Sequence, residues 1–123
     1  NKYTLSRYMI TLASVTRPIE RLLRPTEYLL KGNPEYHFVG EIKIGDVKKR
    51  RTWVHIQEGK LVEVVEISLG RFDQKGSARI PAYFTSVDEA LRYFSERGVT
   101  QEIFEKIIKP NLGIEQPPSW EYH

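Results

Sequence analysis

Four consecutive cations, Lys48 to Arg51, lead directly into a stretch that carries Trp53 and His55 two residues apart. Lysine and arginine neutralise phosphate groups, and aromatic rings stack on unpaired bases. Residues two apart on a β-strand point to the same face. If this stretch is a strand, it predicts a surface that is both cationic and aromatic, which suits a single-stranded nucleic acid.

Catalytic chemistry has less support in the sequence. His37, His55 and His123 do not have the spacing of metal ligands. The chain has no glycine-rich phosphate loop, no serine nucleophile elbow and no HExxH motif. Glu63 and Glu66 lie three apart on an expected strand, so they face opposite sides, which is poor geometry for a carboxylate pair. We therefore expect no enzyme, no cofactor and no metal site.

The composition predicts one globular domain that spans residues 1–123. Hydrophobic residues make up 40% of the chain and charged residues 28%, which is ordinary for a folded domain. The absence of cysteine excludes disulfides, thiolate metal ligands and a cysteine nucleophile, and we expect a cytoplasmic protein. No apolar run approaches the roughly 18 residues of a membrane span, so no membrane partner is expected.

The charge is distributed unevenly along the chain. Residues 1–60 contain twelve Lys and Arg against six Asp and Glu, a balance of +6. Residues 61–123 contain seven Lys and Arg against ten Asp and Glu, a balance of −3. A basic half favours polyanionic partners.

Residues 1–34 are predicted to form a helical arm. Four residues near its start have the spacing of one apolar helix face: Leu5, Tyr8, Met9 and Leu12. A seven-residue repeat follows, in which 17–23 and 24–30 each begin with Arg-Pro and end with Leu-Leu. Proline favours the first turn of a helix. The repeat therefore predicts two short helices, or one helix kinked near Pro25, that end at residues 32–34.

Residues 37–84 alternate with a period of two and are predicted to form four antiparallel strands in a meander. A change in the apolar phase of the third strand predicts a bulge near Val64 and Val65. Pro81 cannot donate a ladder hydrogen bond, which places the fourth strand at an edge of the sheet.

The alternation also predicts which side chains share a face. Three cross-strand pairs define the expected register: Glu41 with His55, Lys43 with Trp53, and Leu69 with Ala78. This register collects apolar side chains on one face, under a helix: Thr52, Val54, Ile56, Val65, Ile67, Leu69, Ala78, Ile80 and Ala82. The other face is expected to lie open to water.

Residues 86–109 are predicted to form two helices that pack on the apolar face. The first opens with a capping box of Ser86 and Glu89, and the second ends at Pro110. Residues 110–123 are expected to form an irregular tail. The predicted fold class is α+β, with a helical arm, a four-stranded antiparallel sheet and two C-terminal helices.

The candidate contacts for nucleic acid lie on the open face and on the hairpin tips that overhang it. The cations would neutralise phosphates and the rings would stack on bases. The full set is Lys43, Lys48, Lys49, Arg50, Arg51, Trp53, His55, Arg71, Phe72, Lys75, Arg79 and Tyr83. Ordinary structural roles stay open: Trp53 could lie under the N-terminal helices, the basic tip could be a solvated turn, and Phe72 could tuck onto the sheet edge. His55 could simply pair with Glu41.

Four segments carry a resemblance to a known group: 62–67, 72–76, 78–80 and 85–90. Over about residues 40–94 the chain resembles the positive transcriptional coactivator and whirly-type group of single-stranded DNA-binding proteins. The resemblance implies that strand-face rings and loop cations contact unpaired nucleic acid and that the helix helps to dimerise. It implies this role for Trp53, Lys75 and Arg79, and more loosely for Arg51.

The expected partner is single-stranded DNA, favoured over RNA, bound with tolerance for sequence by a homodimer. A second interpretation is a protein-interaction or assembly module without a nucleic-acid role. The arm, the helix at 103–108 and the tail with Trp120 and Tyr122 would then form a subunit interface. Burial of Trp53 under one of the arm leucines would favour this interpretation: Leu22, Leu23, Leu29 or Leu30.

Overall fold

The structure is a computed structural model that describes residues 19–114. A short helical stretch at 19–23 precedes one helix, four strands and two further helices: α1 Pro25–Lys31, β1 Tyr36–Lys43, β2 Lys49–Gln57, β3 Lys60–Leu69, β4 Gln74–Pro81, α2 Val87–Ser95 and α3 Gln101–Ile103. The predicted α+β class is confirmed. Some predictions fall on residues outside the described range: the helix face at 5–12 and the side chains Trp120, Tyr122 and His123.

The four strands form one antiparallel sheet in the order β1-β2-β3-β4. The predicted meander is therefore confirmed, and so is the edge position of Pro81, the last residue of β4. None of the helices at residues 19–114 is long and apolar enough to cross a membrane.

Helices pack on both faces of the sheet. The face toward the C-terminal helices buries one apolar cluster: Val39, Val54, Leu61, Val64, Ala90, Phe94, Val99, Phe104 and Ile108. The face toward α1 buries a second cluster: Leu30, Trp53, Val65, Ile67 and Leu69. The prediction of a water-facing sheet surface around Trp53 is therefore wrong.

The register between β3 and β4 explains why the predicted faces fail. Leu69 pairs with Gln74, and Ala78 pairs with Glu66 instead of Leu69. The partner of Ala78 thus lies three residues earlier in β3 than predicted. A shift by an odd number of residues turns the side chains of β3 to the opposite face relative to those of β4. Consequently Ile67 and its neighbours on that face lie under α1, not under the C-terminal helices.

The bulge predicted near Val64 and Val65 is absent, because the pairing of β3 is continuous through both residues. Val64 and Val65 are both buried, because one faces the C-terminal helices and the other faces α1. A strand covered on both faces has apolar residues in both phases. The pairing irregularities lie elsewhere, between Phe38 and Gly40, between His55 and Ile56, and between Ser68 and Leu69.

The predicted register of the first hairpin is also wrong. The observed pairs are Glu41 with Arg51, Lys43 with Lys49, Phe38 with Trp53, and Tyr36 with His55. The turn lies nearer Asp46 than expected, because Ile44 N donates to Lys48 O at 2.9 Å. The irregularity after Phe38 turns Val39 into the C-terminal cluster.

The arm follows its repeat. The helical stretch 19–23 and α1 are separate, with Arg24 as the N-cap of α1 and Pro25 in its first turn. Gly32 is the C-cap. Within the described residues, this confirms two short helices that end at the predicted place.

The C-terminal helices follow their capping signals. Ser86 Oγ accepts from Glu89 N at 3.1 Å, and the Glu89 carboxylate accepts from Thr85 N at 2.9 Å. The Thr85 hydroxyl also donates to this carboxylate, and the hydroxyl and backbone N–H of Thr85 together hold the pKa of Glu89 below its usual value. α3 continues as a π turn over Phe104–Ile108 and a 3-10 turn over Lys109–Asn111, so the helical path passes through Pro110 and does not end at it.

Candidate functional site

Trp53 lies in the interior beneath α1. Its side chain is 6% exposed and packs with Leu30 and Val65. Its indole Nε1 donates to Glu27 Oε2 at 3.2 Å. The arm thus supplies both the apolar cover and the polar partner that a buried indole needs. Trp53 has no ring face available to a base, so the prediction that it stacks on a base is wrong.

Glu27 is the centre of a charged network between α1 and the sheet. It has no exposed surface, and its Oε1 accepts from Arg51 Nη1 at 2.6 Å. Arg51 Nε also donates to Glu41 Oε1 at 2.9 Å. This bond lowers the pKa of Glu41. Burial alone would lower the pKa of Arg51, but the two carboxylates outweigh it and raise that pKa.

The four-cation run does not form one surface. Lys49 and Arg51 pair with Leu69 and Ile67, which lie on the α1 side of the sheet. Arg50 lies between them in β2, so it points to the opposite face. Lys48 precedes β2, in the turn of the hairpin. The structure therefore separates residues that the sequence places side by side.

A cleft of about 330 Å³ opens at the end of the sheet beside the N-terminus of α1. Four cationic side chains line it: Arg24, Lys49, Arg51 and Arg71. Asp46, Val47, Leu69 and Gly70 complete the lining. We call this site the cationic cleft. Lys43 lies directly across the β1–β2 pairing from Lys49 and is not one of the residues that line the cleft.

Neighbouring carboxylates compensate part of the positive charge of the cationic cleft. Arg24 Nη1 lies 4.0 Å from Glu27 Oε1, and Lys49 Nζ lies 3.9 Å from Glu41 Oε2. Arg71 has no carboxylate within 4.0 Å among residues 19–114. The cations nevertheless outnumber the carboxylates, so the cleft suits an anion such as a phosphate group.

Phe72 stands beside the cationic cleft. It follows Arg71 in the loop between β3 and β4, and 69% of its side chain is exposed. Arg24 Nε donates to the Phe72 carbonyl oxygen at 3.4 Å, which ties this loop to the start of α1. Lys43, Lys49, Arg51, Arg71 and Phe72 are thus the predicted site residues that the structure brings together.

Sequence reasoning missed Arg24 and Glu27, both of which belong to the second copy of the repeat. Glu20 is the equivalent of Glu27 in the first copy, and it pairs with Lys31 at the surface. The repeat alone therefore gives no sign that Glu27 is buried. Only Arg24 has a signal in the sequence. It is a cation directly before Pro25, at the predicted start of a helix in the basic half of the chain.

The remaining predicted site residues lie apart from the cleft. Arg79 and Tyr36 both donate to Glu63 Oε1 at 2.8 Å, and His55 Nε2 lies 3.0 Å from Glu35 Oε1. His55 also stacks on Tyr36, with ring centroids 4.3 Å apart. The predicted partner of His55 was Glu41, and that pairing is wrong.

The members of this second polar cluster are paired with one another. Burial raises the pKa of Tyr36, and the hydrogen bond to Tyr36 raises the pKa of Arg79. Lys75 pairs with Asp73 at 3.2 Å, and Tyr83 is exposed without a place in either site. Among residues 19–114, no group of three His, Asp or Glu side chains has an arrangement that could hold a metal ion.

Comparison of this chain with protein-family models, with curated proteins and with solved structures finds no match.

Proposed function

We propose that this protein binds single-stranded nucleic acid, DNA in preference to RNA, at the cationic cleft. One observation carries the proposal: Arg24, Lys49, Arg51 and Arg71 converge on a single cleft beside an exposed Phe72. Cations and a ring in this arrangement match a phosphate and its neighbouring base. Trp53 and the centre of the sheet are buried and would take no part in this binding.

The chemistry sets the expected behaviour. Stacking on Phe72 would contribute about 1–3 kcal/mol per base and would tolerate any sequence. Each phosphate neutralised would add about −0.7 to the slope of log affinity against log salt concentration. With two or three phosphates in contact, binding would weaken clearly between low and physiological salt.

The test is a fluorescence titration of labelled deoxythymidine oligonucleotides at two salt concentrations. Phe72→Ala should weaken binding about tenfold because it removes one stacking surface. Tyr83→Ala is the matched control, since Tyr83 is an exposed ring away from the cleft. Absence of micromolar binding at low salt, or equal losses in the two variants, would reject the proposal.

The cytoplasmic location expected from the cysteine-free sequence stays a prediction.

The second candidate function is assembly of a homodimer through the arm. Leu22 and Leu29 occupy equivalent positions of the repeat, and their side chains are 81% and 70% exposed. Trp53 is packed against Leu30, which is the arrangement expected for an assembly module. Light scattering at tens of micromolar decides it. A dimer that Leu22→Ser and Leu29→Ser together dissociate supports assembly through the arm, and a monomer rejects it.

A further inference from the structure

The cationic cleft is built from parts that are not continuous in the chain. The N-cap of α1 supplies Arg24, β2 supplies Lys49 and Arg51, and the loop after β3 supplies Arg71. The complete set of cations exists only while α1 lies on the sheet. We propose that an anion in the cleft and the docking of α1 stabilise each other, so that ligand binding locks the arm in place. This inference rests on the proposed function.

The contacts that dock α1 lie beside the ligand site. Thr26 N donates to Gln74 Oε1 at 3.1 Å, and Gln74 Nε2 donates to Thr26 Oγ1 at 2.8 Å. Glu27 receives hydrogen bonds from Arg51 and Trp53. Arg51 therefore takes part both in helix docking, through Glu27, and in the lining of the cleft.

Arg51 keeps donors available for a ligand without releasing the helix. Its Nη1 donates to Glu27 and its Nε to Glu41, while its Nη2 makes no hydrogen bond within residues 19–114. An arginine carries five N–H donors in a fixed plane. A phosphate can therefore bind at Nη2 while Glu27 keeps its bond, so the anion adds to the docked state and does not compete with it.

Charge balance gives the coupling the same sign. The guanidinium nitrogens of Arg24 and Arg51 lie 4.0 Å and 2.6 Å from the same Glu27 oxygen, so Glu27 holds the two cations together when α1 docks. The docked state therefore offers an anion two adjacent guanidinium groups, and Arg24 is the one that arrives with α1. A ligand that binds only the docked state stabilises that state, and docking raises affinity by the same factor.

The first test is amide hydrogen exchange of α1 with and without a deoxythymidine oligonucleotide. At about one hundred times the dissociation constant, exchange that proceeds through undocking of α1 should slow about a hundredfold. The same measurement with inorganic phosphate shows whether the phosphate group alone is sufficient to slow the exchange. Unchanged exchange in α1 while the oligonucleotide binds would overturn the coupling. Failure of the oligonucleotide to bind at all would instead overturn the proposed function.

The second test uses a variant for which charge alone and the coupling predict opposite changes in anion affinity. Glu27→Gln removes a negative charge next to the cleft, which by charge alone should strengthen anion binding. The coupling instead expects affinity to fall at least about fivefold, because a smaller fraction of the chain has α1 docked. Glu41→Gln is the matched control: it removes an equal charge beside Arg51 but leaves α1 untouched, so it should bind at least as tightly as the parent. Tighter binding by both variants would overturn the coupling.

Discussion

Glu27 is a carboxylate without exposed surface whose partners are a guanidinium and an indole N–H. Transfer of an ion out of water is costly, and only close partners and hydrogen bonds compensate for it. Arg51 provides the charge and Trp53 provides a second donor. The same three side chains tie α1 to the sheet, since a Glu27 carboxylate removed from water finds these two donors only where α1 lies over Trp53.

Removal of the Glu27 carboxylate should be strongly destabilising. Glu27→Ala would leave the buried Trp53 N–H without its acceptor and would remove one of the two carboxylates of the partly exposed Arg51, at an expected cost of about 2–3 kcal/mol in the free energy of unfolding. Glu20→Ala is the control, because Glu20 occupies the equivalent position of the repeat and pairs with Lys31 at the surface. That change should cost about 1 kcal/mol or less. Urea unfolding followed by circular dichroism measures both, and equal losses would contradict the role given to Glu27.

Tyr93 should give the stability a dependence on alkaline pH. Its hydroxyl donates to Glu66 Oε1 at 3.2 Å, and burial, followed by the charge of Glu66, raises its pKa to about 12. The folded state therefore favours the neutral phenol. Its contribution is complete below pH 10 and is lost as the pH rises from 10 to 12. After allowance for screening by solvent, about 1–2 kcal/mol should disappear over this range.

The comparison with Tyr93→Phe isolates this contribution. The variant cannot ionise at this position, so its stability should fall less steeply between pH 10 and pH 12 than that of the parent. Urea midpoints at several pH values across the interval measure the difference. Parallel curves would show that Tyr93 does not titrate in this way.

At the scale of elements, local signals predicted what local chemistry determines. The Ser86 cap, the proline of the arm and the edge position of the strand that contains Pro81 each depend on a few neighbouring residues, and each is observed as expected. The paired faces depend instead on register, which is set by the contacts of distant segments. Val64 and Val65 are both apolar, so the sequence of β3 allows either face to point toward either helical layer.

The candidate site shows the same difference between features set by neighbouring residues and features set by distant segments. Composition indicated the basic hairpin, and Lys49, Arg51 and Arg71 do meet in one cleft. The burial of Trp53 could not be derived from its own strand, because its cover comes from Leu30 and Glu27, about two dozen residues earlier in the chain. A tryptophan next to cations has the same sequence pattern whether it faces water or a helix.

The junction between α2 and the sheet requires a glycine at position 98. Gly98 has a φ of +78°, and a Cβ there would collide with the carbonyl oxygen of Glu41 in β1. The next residue, Val99, forms a bridge to Gly40 at the outer edge of β1. The close approach of these two segments therefore depends on the absence of a side chain.

Gly98→Ala should lower the free energy of unfolding by about 2 kcal/mol or more, because the left-handed backbone and the collision act together. Gly45→Ala is the matched control: nothing lies within 4 Å of a Cβ at that position and its φ is not in the left-handed range. The control should change stability by less than about 0.5 kcal/mol. Denaturant unfolding measures both, and a tolerated alanine at position 98 would contradict the assigned packing.

At the scale of the whole molecule, helices on both faces of the sheet leave its end as the place where charged side chains of several elements meet. The basic half of the sequence supplies the arm, β1 and β2, and Arg71 joins them from the other half. Net charge alone attracts polyanions weakly and without a defined site. The proposed function differs from such a general attraction, because it assigns the binding energy to the cleft at one end of the sheet.

Charge reversal at two positions separates a site from a general field. Arg71→Glu and Lys106→Glu each change the net charge from +3 to +1, but only Arg71 lines the cationic cleft, while Lys106 lies exposed in the π turn after α3. A cleft that holds phosphate should lose at least tenfold in oligonucleotide affinity with Arg71→Glu, and its salt dependence should become shallower because fewer phosphates are neutralised. Lys106→Glu should change affinity less than about threefold at physiological salt, where charges farther apart than about 8 Å are largely screened. Equal losses in the two variants would show that the chain attracts nucleic acid through its overall charge, without a cleft that binds it.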